Sequence, residues 1–219
     1  MVNNWTYNPN YLPSIKDLNL LRQKGLWNDF IHNNPLGMPF QILTQEFINS
    51  FSSFVLQIIQ NINNENINIM ELGASNGRLT HFLKQFILQQ PTSKSISFKA
   101  IDDFSWDKRF FATGDPIYIK KIFEVTNMSV ATAMKENPNI VITSWMPHNE
   151  DWTEHMRKNP SVEIFILIGN ENDCGNQYSW SSDTDFERID MNIEGSICWE
   201  DIHPEQKTSY VSVFLRRKF

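Results

Sequence analysis

The stretch of residues 66–83, NINIMELGASNGRLTHFL, decides the fold of this chain. Its apolar run reads as a strand that ends at Glu71 and Leu72, after which Gly73 and Gly77 enclose three small residues. Gly73 permits a backbone conformation closed to other residues, and Gly77 lets the start of the next element pack closely. Apolar residues then recur at spacings of three and four, so the stretch predicts a strand, a glycine turn and a helix.

The rest of the chain repeats this alternation of strands and helices. A wide apolar face predicts a helix that begins after Thr44, which has the side chain of an N-cap. Further strands are predicted at residues 95–102, 122–128, 139–146 and 162–169. Strands that alternate with helices indicate a parallel sheet covered on both faces. Two last strand-like runs, 185–193 and 209–219, have no amphipathic helix between them, which favours antiparallel pairing there.

Residues 1–43 precede the alternating pattern and are rich in Asn, Pro and aromatic residues. They contain one amphipathic piece around residues 15–30 and then a break at HNNPLGMPF, residues 32–40. We therefore expect an N-terminal extension over 1–43 and a single α/β domain over 44–219. The extension is predicted to form a lid or an acceptor wall through its aromatic residues, which are Trp5, Tyr7, Tyr11 and Trp27.

Composition and charge exclude several classes of protein. The net charge is −6 and no basic cluster exceeds residues 216–218, so phosphate-driven binding of nucleic acid is disfavoured. Two cysteines do not make a disulfide-stapled fold, and the N-terminus lacks the pattern of a signal peptide. No apolar run approaches the ~20 residues that span a bilayer. We expect a cytoplasmic protein without a membrane partner, and its oligomeric state stays open.

Acidic residues at the ends of two neighbouring strands indicate the kind of ligand. Glu71 stands at the entrance of the glycine turn, where a carboxylate repels the phosphate that a helix N-terminus attracts. A ligand with a cationic end gains from this position. Asp102 and Asp103 end the next strand, where an acid can accept hydrogen bonds from both ribose hydroxyls. The pattern therefore favours a nucleoside with a positively charged tail and no phosphate.

At this point the chain resembles the class I S-adenosylmethionine (SAM)-dependent methyltransferases. Their first motif, E/D-x-G-x-x-x-G, is matched in full by ELGASNG, and the resemblance covers roughly residues 67–215. It implies a Rossmann-like three-layer α/β sandwich, whose mostly parallel seven-stranded sheet ends in an antiparallel hairpin. With the extension, we expect this fold plus a helical N-terminal segment, and SAM as the cofactor.

The resemblance also implies which residues bind the cofactor. Glu71 orients the methionine part, the glycine turn passes close to it, and Asp102 resembles the ribose-binding acid, with Asp103 as the alternative. Asn127 follows the third strand, where the family often has an acid at the adenine edge. The complete predicted set is Glu71, Gly73, Ala74, Asn76, Gly77, Asp102, Asp103, Asn127, Ser144 and Trp145.

The residues after the fourth strand bear on the chemistry. Enzymes of this family that methylate exocyclic amines commonly show Asp/Asn-Pro-Pro-aromatic here, whereas residues 144–147 read SWMP and share only the last proline. Trp145 either lies over the sulfonium, as a cation–π partner, or is a packed loop aromatic. Methyl transfer from a sulfonium needs alignment more than a protein nucleophile. No catalytic residue is assigned, although His148, Glu150 and Asp151 are the nearest titratable groups.

Other readings of the sequence remain. Asp151 and His155 share a helical face, but Asp151 as an N-cap with Glu154 as its capping-box partner explains DWTEH better than a metal site. A nicotinamide-dependent oxidoreductase would want G-x-G-x-x-G, and Ser75 stands at the second glycine. We expect a methyltransferase whose unidentified acceptor is a small molecule or a protein rather than nucleic acid. The alternative is an inactive methyltransferase-like scaffold.

Overall fold

The computed structural model describes residues 8–34, 37–105, 121–203 and 205–217. The helices are α1 (Ile15–Gln23), α2 (Trp27–His32), α3 (Gln45–Asn61), α4 (Arg78–Leu88), α5 (Val130–Ala133), a 3-10 turn (Met134–Glu136) and α6 (Thr153–Lys158). The strands are β1 (Gln41–Ile42), β2 (Asn66–Leu72), β3 (Ser95–Asp102), β4 (Thr126–Asn127), β5 (Ile140–Ser144), β6 (Ile164–Gly169), β7 (Phe186–Met191), β8 (Ile197–Cys198) and β9 (Tyr210–Arg216).

Seven of these strands form one sheet in the order β4-β3-β2-β5-β6-β9-β7. The pairs among β4, β3, β2, β5 and β6 are parallel, whereas β9 runs antiparallel to both β6 and β7. The strand order reverses beside β2, because β3 lies on one side of it and β5 on the other. Ligands bind outside the carboxyl ends of the strands at such a switch point, and the glycine turn follows β2 there.

Helices cover both faces of the sheet, as the apolar patterns predict. On one face α3 and α4 pack on the sheet through a cluster that includes Phe47, Phe51, Val55, Leu79, Phe82, Leu83, Ile140 and Ile166. The opposite face has a second cluster, in which Ala133 and Met156 from α5 and α6 meet strand residues such as Val141, Phe165 and Phe214. The three-layer Rossmann-like sandwich and its antiparallel hairpin are therefore confirmed.

The N-terminal region is helical and packs on the domain through its own cluster. Its buried members are Leu18, Leu21, Trp27, Phe30, Ile31 and Ile42. The α1 helix begins with a capping box between Ser14 and Asp17. After α2, β1 pairs antiparallel with β8 in a separate two-stranded sheet, with Gln41 opposite Cys198. Trp5 and Tyr7 lie outside the described residues, and the division at residue 43 stays a prediction.

Two sequence-based predictions of local structure are wrong. The strand predicted at 122–128 is only β4, because the amides of Ile122 and Phe123 donate to the carbonyl of Asn76 rather than to β3. The capping box at α6 is absent: Trp152 occupies the N-cap, and Glu154 forms an ion pair with Lys158 instead. Along the described ranges, no helix combines the length and apolarity needed to cross a bilayer.

Candidate functional site

The glycine turn between β2 and α4 holds three residues in the left-handed region. The φ angles are +68° at Gly73, +53° at Ser75 and +78° at Gly77. The turn is tied to β3 by a hydrogen bond from the Ala74 amide to the Ile101 carbonyl, at 2.9 Å, and Gly77 donates back to Ala74 at 2.8 Å. Gly77 is also the N-cap of α4 and provides no side-chain cap. The bend is therefore built by the backbone, and its two glycines leave room for the side chains that pack against it.

Glu71 is buried at the entrance of the turn, with 4% of its surface exposed. Its Oε2 accepts hydrogen bonds from the amide of Thr80, at 3.0 Å, and from the Thr80 hydroxyl. Burial raises the pKa of Glu71 to about 7, and the nearby charge of Asp102 adds to this, although the two bonds from Thr80 oppose it. A cation that approached this carboxylate would stabilise its ionised form.

The two acids that end β3 have different environments. Asp102 is 3% exposed, and its carboxylate accepts hydrogen bonds from the amides of Ser75 and Phe104, both at 2.7 Å. Asp103 is exposed, and its Oδ1 accepts only a local bond from the Ser105 amide at 2.9 Å. Asp102 therefore holds the glycine turn in place, whereas Asp103 has a solvent-facing carboxylate. Which of the two meets a ribose stays a prediction.

Two cavities lie at the turn, and Gly73 borders both. The larger, about 80 Å³, is lined by residues that include Glu71, Ala74, Asn76, Ser144 and Trp145. The smaller, about 30 Å³, is lined by residues that include Leu72, Asp102, Asp103, Met128 and Trp152. Glu71 therefore borders one cavity and Asp102 and Asp103 border the other, and Gly73 is the one described residue that lines both. The sequence predicts acids from both strands at a single cavity, and their meeting at one ligand stays a prediction. Asn127 is next to Asp102 in register but is exposed and lines neither cavity.

Trp152 lines the smaller cavity and is not among the residues that the sequence predicts for the site. A Cβ placed on Gly73 would lie 2.8 and 2.9 Å from two carbons of the Trp152 indole, so the ring packs directly against this glycine. The indole Nε1 donates to Glu150 at 2.7 Å, which anchors the ring. The available signal was position alone, since Trp152 follows the fourth core strand, where residues near a ligand are expected.

The end of β5 forms the other side of the larger cavity. Trp145 has a φ of +57°, which is strained for a bulky residue, and 8% of its surface is exposed. Its indole Nε1 donates to the side chain of Gln41 at 3.3 Å, and its ring centroid lies 6.0 Å from that of Phe40. The N-terminal segment therefore closes this side of the cavity. Asn76, at its rim, accepts from the Arg78 amide through Oδ1 at 3.1 Å.

A cavity larger than either of these two lies elsewhere. It measures about 500 Å³ and lies between α4 and β3, with His81, Lys84 and Lys99 in its wall. Gly77 is the one predicted site residue that lines it, and neither Glu71 nor Asp102 does. Among the described residues, no group of three His, Cys, Asp or Glu side chains is placed to hold a metal.

Comparisons with known proteins give likenesses among solved structures alone. No protein-family model and no curated protein matches the chain. The CurJ carbon methyltransferase is similar with 14% identity and a TM-score of 0.45, over 76% of this chain and 54% of that one. TrmK of M. capricolum, in complex with S-adenosyl-homocysteine (SAH), has 14% identity and a TM-score of 0.40, over 74% and 67%. The plantazolicin methyltransferase BpumL, in complex with SAH, has 11% identity and a TM-score of 0.42, over 94% and 98%.

The chain spans about half the length of the CurJ protein. At these identities the likeness concerns architecture, and the details of the site come from this chain's own residues. The sheet order, the antiparallel last strand and the E-x-G-x-x-x-G turn at the switch point occur together here. In its fold, the chain therefore resembles the class I SAM-dependent methyltransferases.

Proposed function

We propose that this protein is a SAM-dependent methyltransferase. The observation that supports this most strongly is the placement of three carboxylates, at the ends of two adjacent parallel strands, around one left-handed glycine turn. Glu71 borders the larger cavity and Asp102 and Asp103 border the smaller one, with Gly73 between them. A nucleoside with a cationic amino-acid tail matches this donor and acceptor set better than a dinucleotide, whose pyrophosphate Glu71 would repel.

The residues of the chain would divide the work as follows. Glu71 accepts a hydrogen bond from the ammonium group of the ligand, and its buried position makes this contact strong. Asp103, and Asp102 where its bonds to the backbone allow, accept from the ribose hydroxyls. The bound cofactor supplies a methyl group on a sulfonium, which is an activated donor. The protein then needs to align the acceptor and exclude water, and Trp145 offers an aromatic face for the positive charge.

The donor set fits the cofactor, but the cleft is narrow in this structure. The two cavities measure about 80 and 30 Å³, and the Trp152 indole packs on Gly73, which borders both. A nucleoside that reached from Glu71 to Asp103 has to displace this ring. The ring is held by a hydrogen bond to Glu150 and by packing on the cluster beneath α5 and α6, so cofactor binding in this cleft requires a rearrangement of Trp152.

The acceptor is proposed to be a small molecule or a protein rather than nucleic acid, since the net charge is −6. We extend the proposal to the N-terminal segment, residues 1–43, as the acceptor wall of domain 44–219, because Phe40, Gln41 and Leu43 line the larger cavity. No general base is assigned. Glu150 accepts from the Trp152 indole and Asp151 accepts from Thr153, so both carboxylates already have structural roles. A cytoplasmic location stays a prediction.

Calorimetric titration of the full chain tests the proposal. We expect SAM and SAH to bind and NAD not to bind. Glu71→Gln keeps the shape of the side chain and removes its charge, so it should weaken SAH at least tenfold. Glu187→Gln is the matched control, because Glu187 is exposed on β7 at the far edge of the sheet. The absence of binding by both SAM and SAH would overturn the proposal and leave the scaffold reading.

A further inference from the structure

Gln41, in the N-terminal segment, lines the same cavity as Glu71 and has a fixed orientation. Its Oε1 accepts hydrogen bonds from the Trp145 indole, at 3.3 Å, and from the Ser209 hydroxyl, at 2.7 Å. An indole N–H can only donate, so it requires the oxygen of the carboxamide on that side. The amino group, Nε2, therefore has to face away from Trp145 and Ser209.

That amino group has no hydrogen-bond partner among the residues that the structure describes. Gln41 is 8% exposed, and Nε2 is a buried donor without a hydrogen bond to any described residue. Buried donors in folded proteins are nearly always satisfied, and an exception calls for an explanation such as a ligand. Since Gln41 borders the larger cavity, a ligand in that cavity is within its reach.

A second group in the wall of this cavity is a half-buried cation. Arg78, the first residue of α4, donates from Nε to the Pro9 carbonyl at 3.2 Å and from Nη2 to the Tyr11 carbonyl at 2.8 Å. Both acceptors are neutral, and within the described ranges no carboxylate forms an ion pair with Arg78. Burial lowers the pKa of Arg78 to about 10, so the guanidinium stays charged at neutral pH. Because no described carboxylate pairs with this half-buried charge, an anion in the cavity would stabilise it.

We propose that Gln41 and Arg78 form a carboxylate-binding subsite in the cavity beside the glycine turn. Gln41 would donate its free N–H to a carboxylate oxygen, and Arg78 would supply the compensating charge. The carboxylate belongs either to the amino-acid end of the cofactor or to the methyl acceptor. In this one respect the subsite rests on the proposed function. Trp145 and Ser209 act through Gln41 and position its amide.

The direct test is nuclear magnetic resonance of the Gln41 side-chain NH2 in the full ¹⁵N-labelled chain. Three titrations are compared: SAH, an SAH analogue that lacks the carboxylate, and propionate added to the SAH-saturated chain, with neutral propionamide as the matched probe. A saturable shift with SAH but not with its analogue assigns the carboxylate to the cofactor. A saturable shift with propionate but not propionamide assigns it to the acceptor. If no carboxylate shifts the Gln41 signals, the subsite is overturned.

Variants add an independent readout. Gln41→Glu removes the side-chain NH2, so the signals that disappear from the spectrum are those of Gln41. The variant keeps an oxygen for Trp145 and Ser209 but replaces the N–H donor by a second oxygen. Gln41→Glu should lower the affinity for the carboxylate ligand that gave the shift at least tenfold. The affinity for the matched ligand that lacks the carboxylate should stay within twofold. Gln60→Glu, on the exposed side of α3, adds the same charge away from the cavity and should change neither. Equal loss for both ligands would show a structural role and overturn the subsite.

The outcome is separable from that of the proposed function. If SAH does not bind, propionate is titrated into the unliganded chain, where a shift of the Gln41 signals that propionamide does not produce still supports the subsite. No shift there overturns it. If SAH binds and no carboxylate reaches Gln41, the subsite fails while the methyltransferase proposal stands.

Discussion

The indole of Trp152 lies against the α-carbon of Gly73, so closely that a Cβ on Gly73 would be 2.8 Å from the ring. This contact links the loop after β5 to the turn after β2 at the centre of the proposed cofactor site. Gly73 therefore has two reasons to lack a side chain. The indole leaves no room for a Cβ, and the φ of +68° favours glycine.

We expect SAH to change the fluorescence of Trp152. A nucleoside has to move this ring away from Gly73, which changes its contacts and its exposure to water. Trp152→Phe should remove most of the change in emission that SAH causes in the native chain, measured by fluorescence titration. Trp27→Phe is the matched control, because Trp27 is buried in the N-terminal cluster. If Trp152→Phe keeps the full change in emission, the ring does not report binding.

Gly73→Ala should destabilise the fold more than Gly25→Ala does. Both glycines have nearly the same φ, +68° and +66°, but a Cβ on Gly25 would have no atom within 4 Å. The backbone strain alone costs about 1 kcal/mol at Gly25, and contact with the indole raises the cost at Gly73 to roughly 2–4 kcal/mol. Chemical unfolding measures both values. Equal losses of unfolding free energy at the two glycines would show that the Trp152 ring moves aside without cost. In that case, adding Trp152→Ala to Gly73→Ala would restore no stability.

The stability of the chain should depend on pH through Glu71. Its pKa is raised from 4.5 in the unfolded chain to about 7 in the folded one, mainly by burial. Between these values the folded chain keeps a proton that the unfolded chain has released, so the free energy of unfolding falls as the pH rises from about 4.5 to about 7. Glu71→Gln should flatten that part of the profile and be more stable than the native chain above pH 7. Urea unfolding at several pH values measures this.

The same ionisation acts in the opposite sense on ligand affinity. The carboxylate that meets an ammonium group has to be charged, so SAH should bind more weakly as the pH falls below about 7. Calorimetry at pH 6 and pH 8 compares the native chain with Glu71→Gln. An unchanged SAH affinity in the native chain over this range would contradict a contact between Glu71 and the ammonium group.

Asp102 and Asp103 should separate stability from binding. Asp102→Asn replaces the carboxylate that accepts hydrogen bonds from the amides of Ser75 and Phe104. We therefore expect the free energy of unfolding to fall by about 1.5–3 kcal/mol. Asp103→Asn should keep the free energy of unfolding within about 0.5 kcal/mol of the native value, and it should lower the affinity for SAH instead. The reverse pattern would assign the ribose contact to Asp102 alone.

The sequence is sufficient to predict the elements that depend on local pattern. The strand predicted at 95–102 is β3 to the residue, and the N-cap at Thr44 is present, with its side chain accepting from Phe47. Both depend on neighbours a few residues away, whose spacing is visible in the chain. Glu71 was predicted on the same basis, because strand, acid and glycine turn are contiguous.

The contacts that complete the site join residues far apart in the chain and have no local signature. Trp152 reaches Gly73 across the switch point, and Gln41 meets Ser209 at a separation of 168 residues. Trp145 was considered as a packed or cation-facing aromatic, but its left-handed backbone depends on how β5 ends. Such features follow from the packing of whole elements, so periodicity and motif spacing do not contain them.

The pairing of β1 with β8 bears on the order in which the molecule is assembled during translation. The glycine turn, both acid positions and four of the five parallel strands are synthesised within the first 144 residues. Gln41 emerges from the ribosome before any of them, yet its strand partner and Ser209 emerge near the end. A nascent chain can therefore form the glycine turn and both acid positions well before it can fix Gln41, and the proposed carboxylate subsite is the last part of the cavity to be completed.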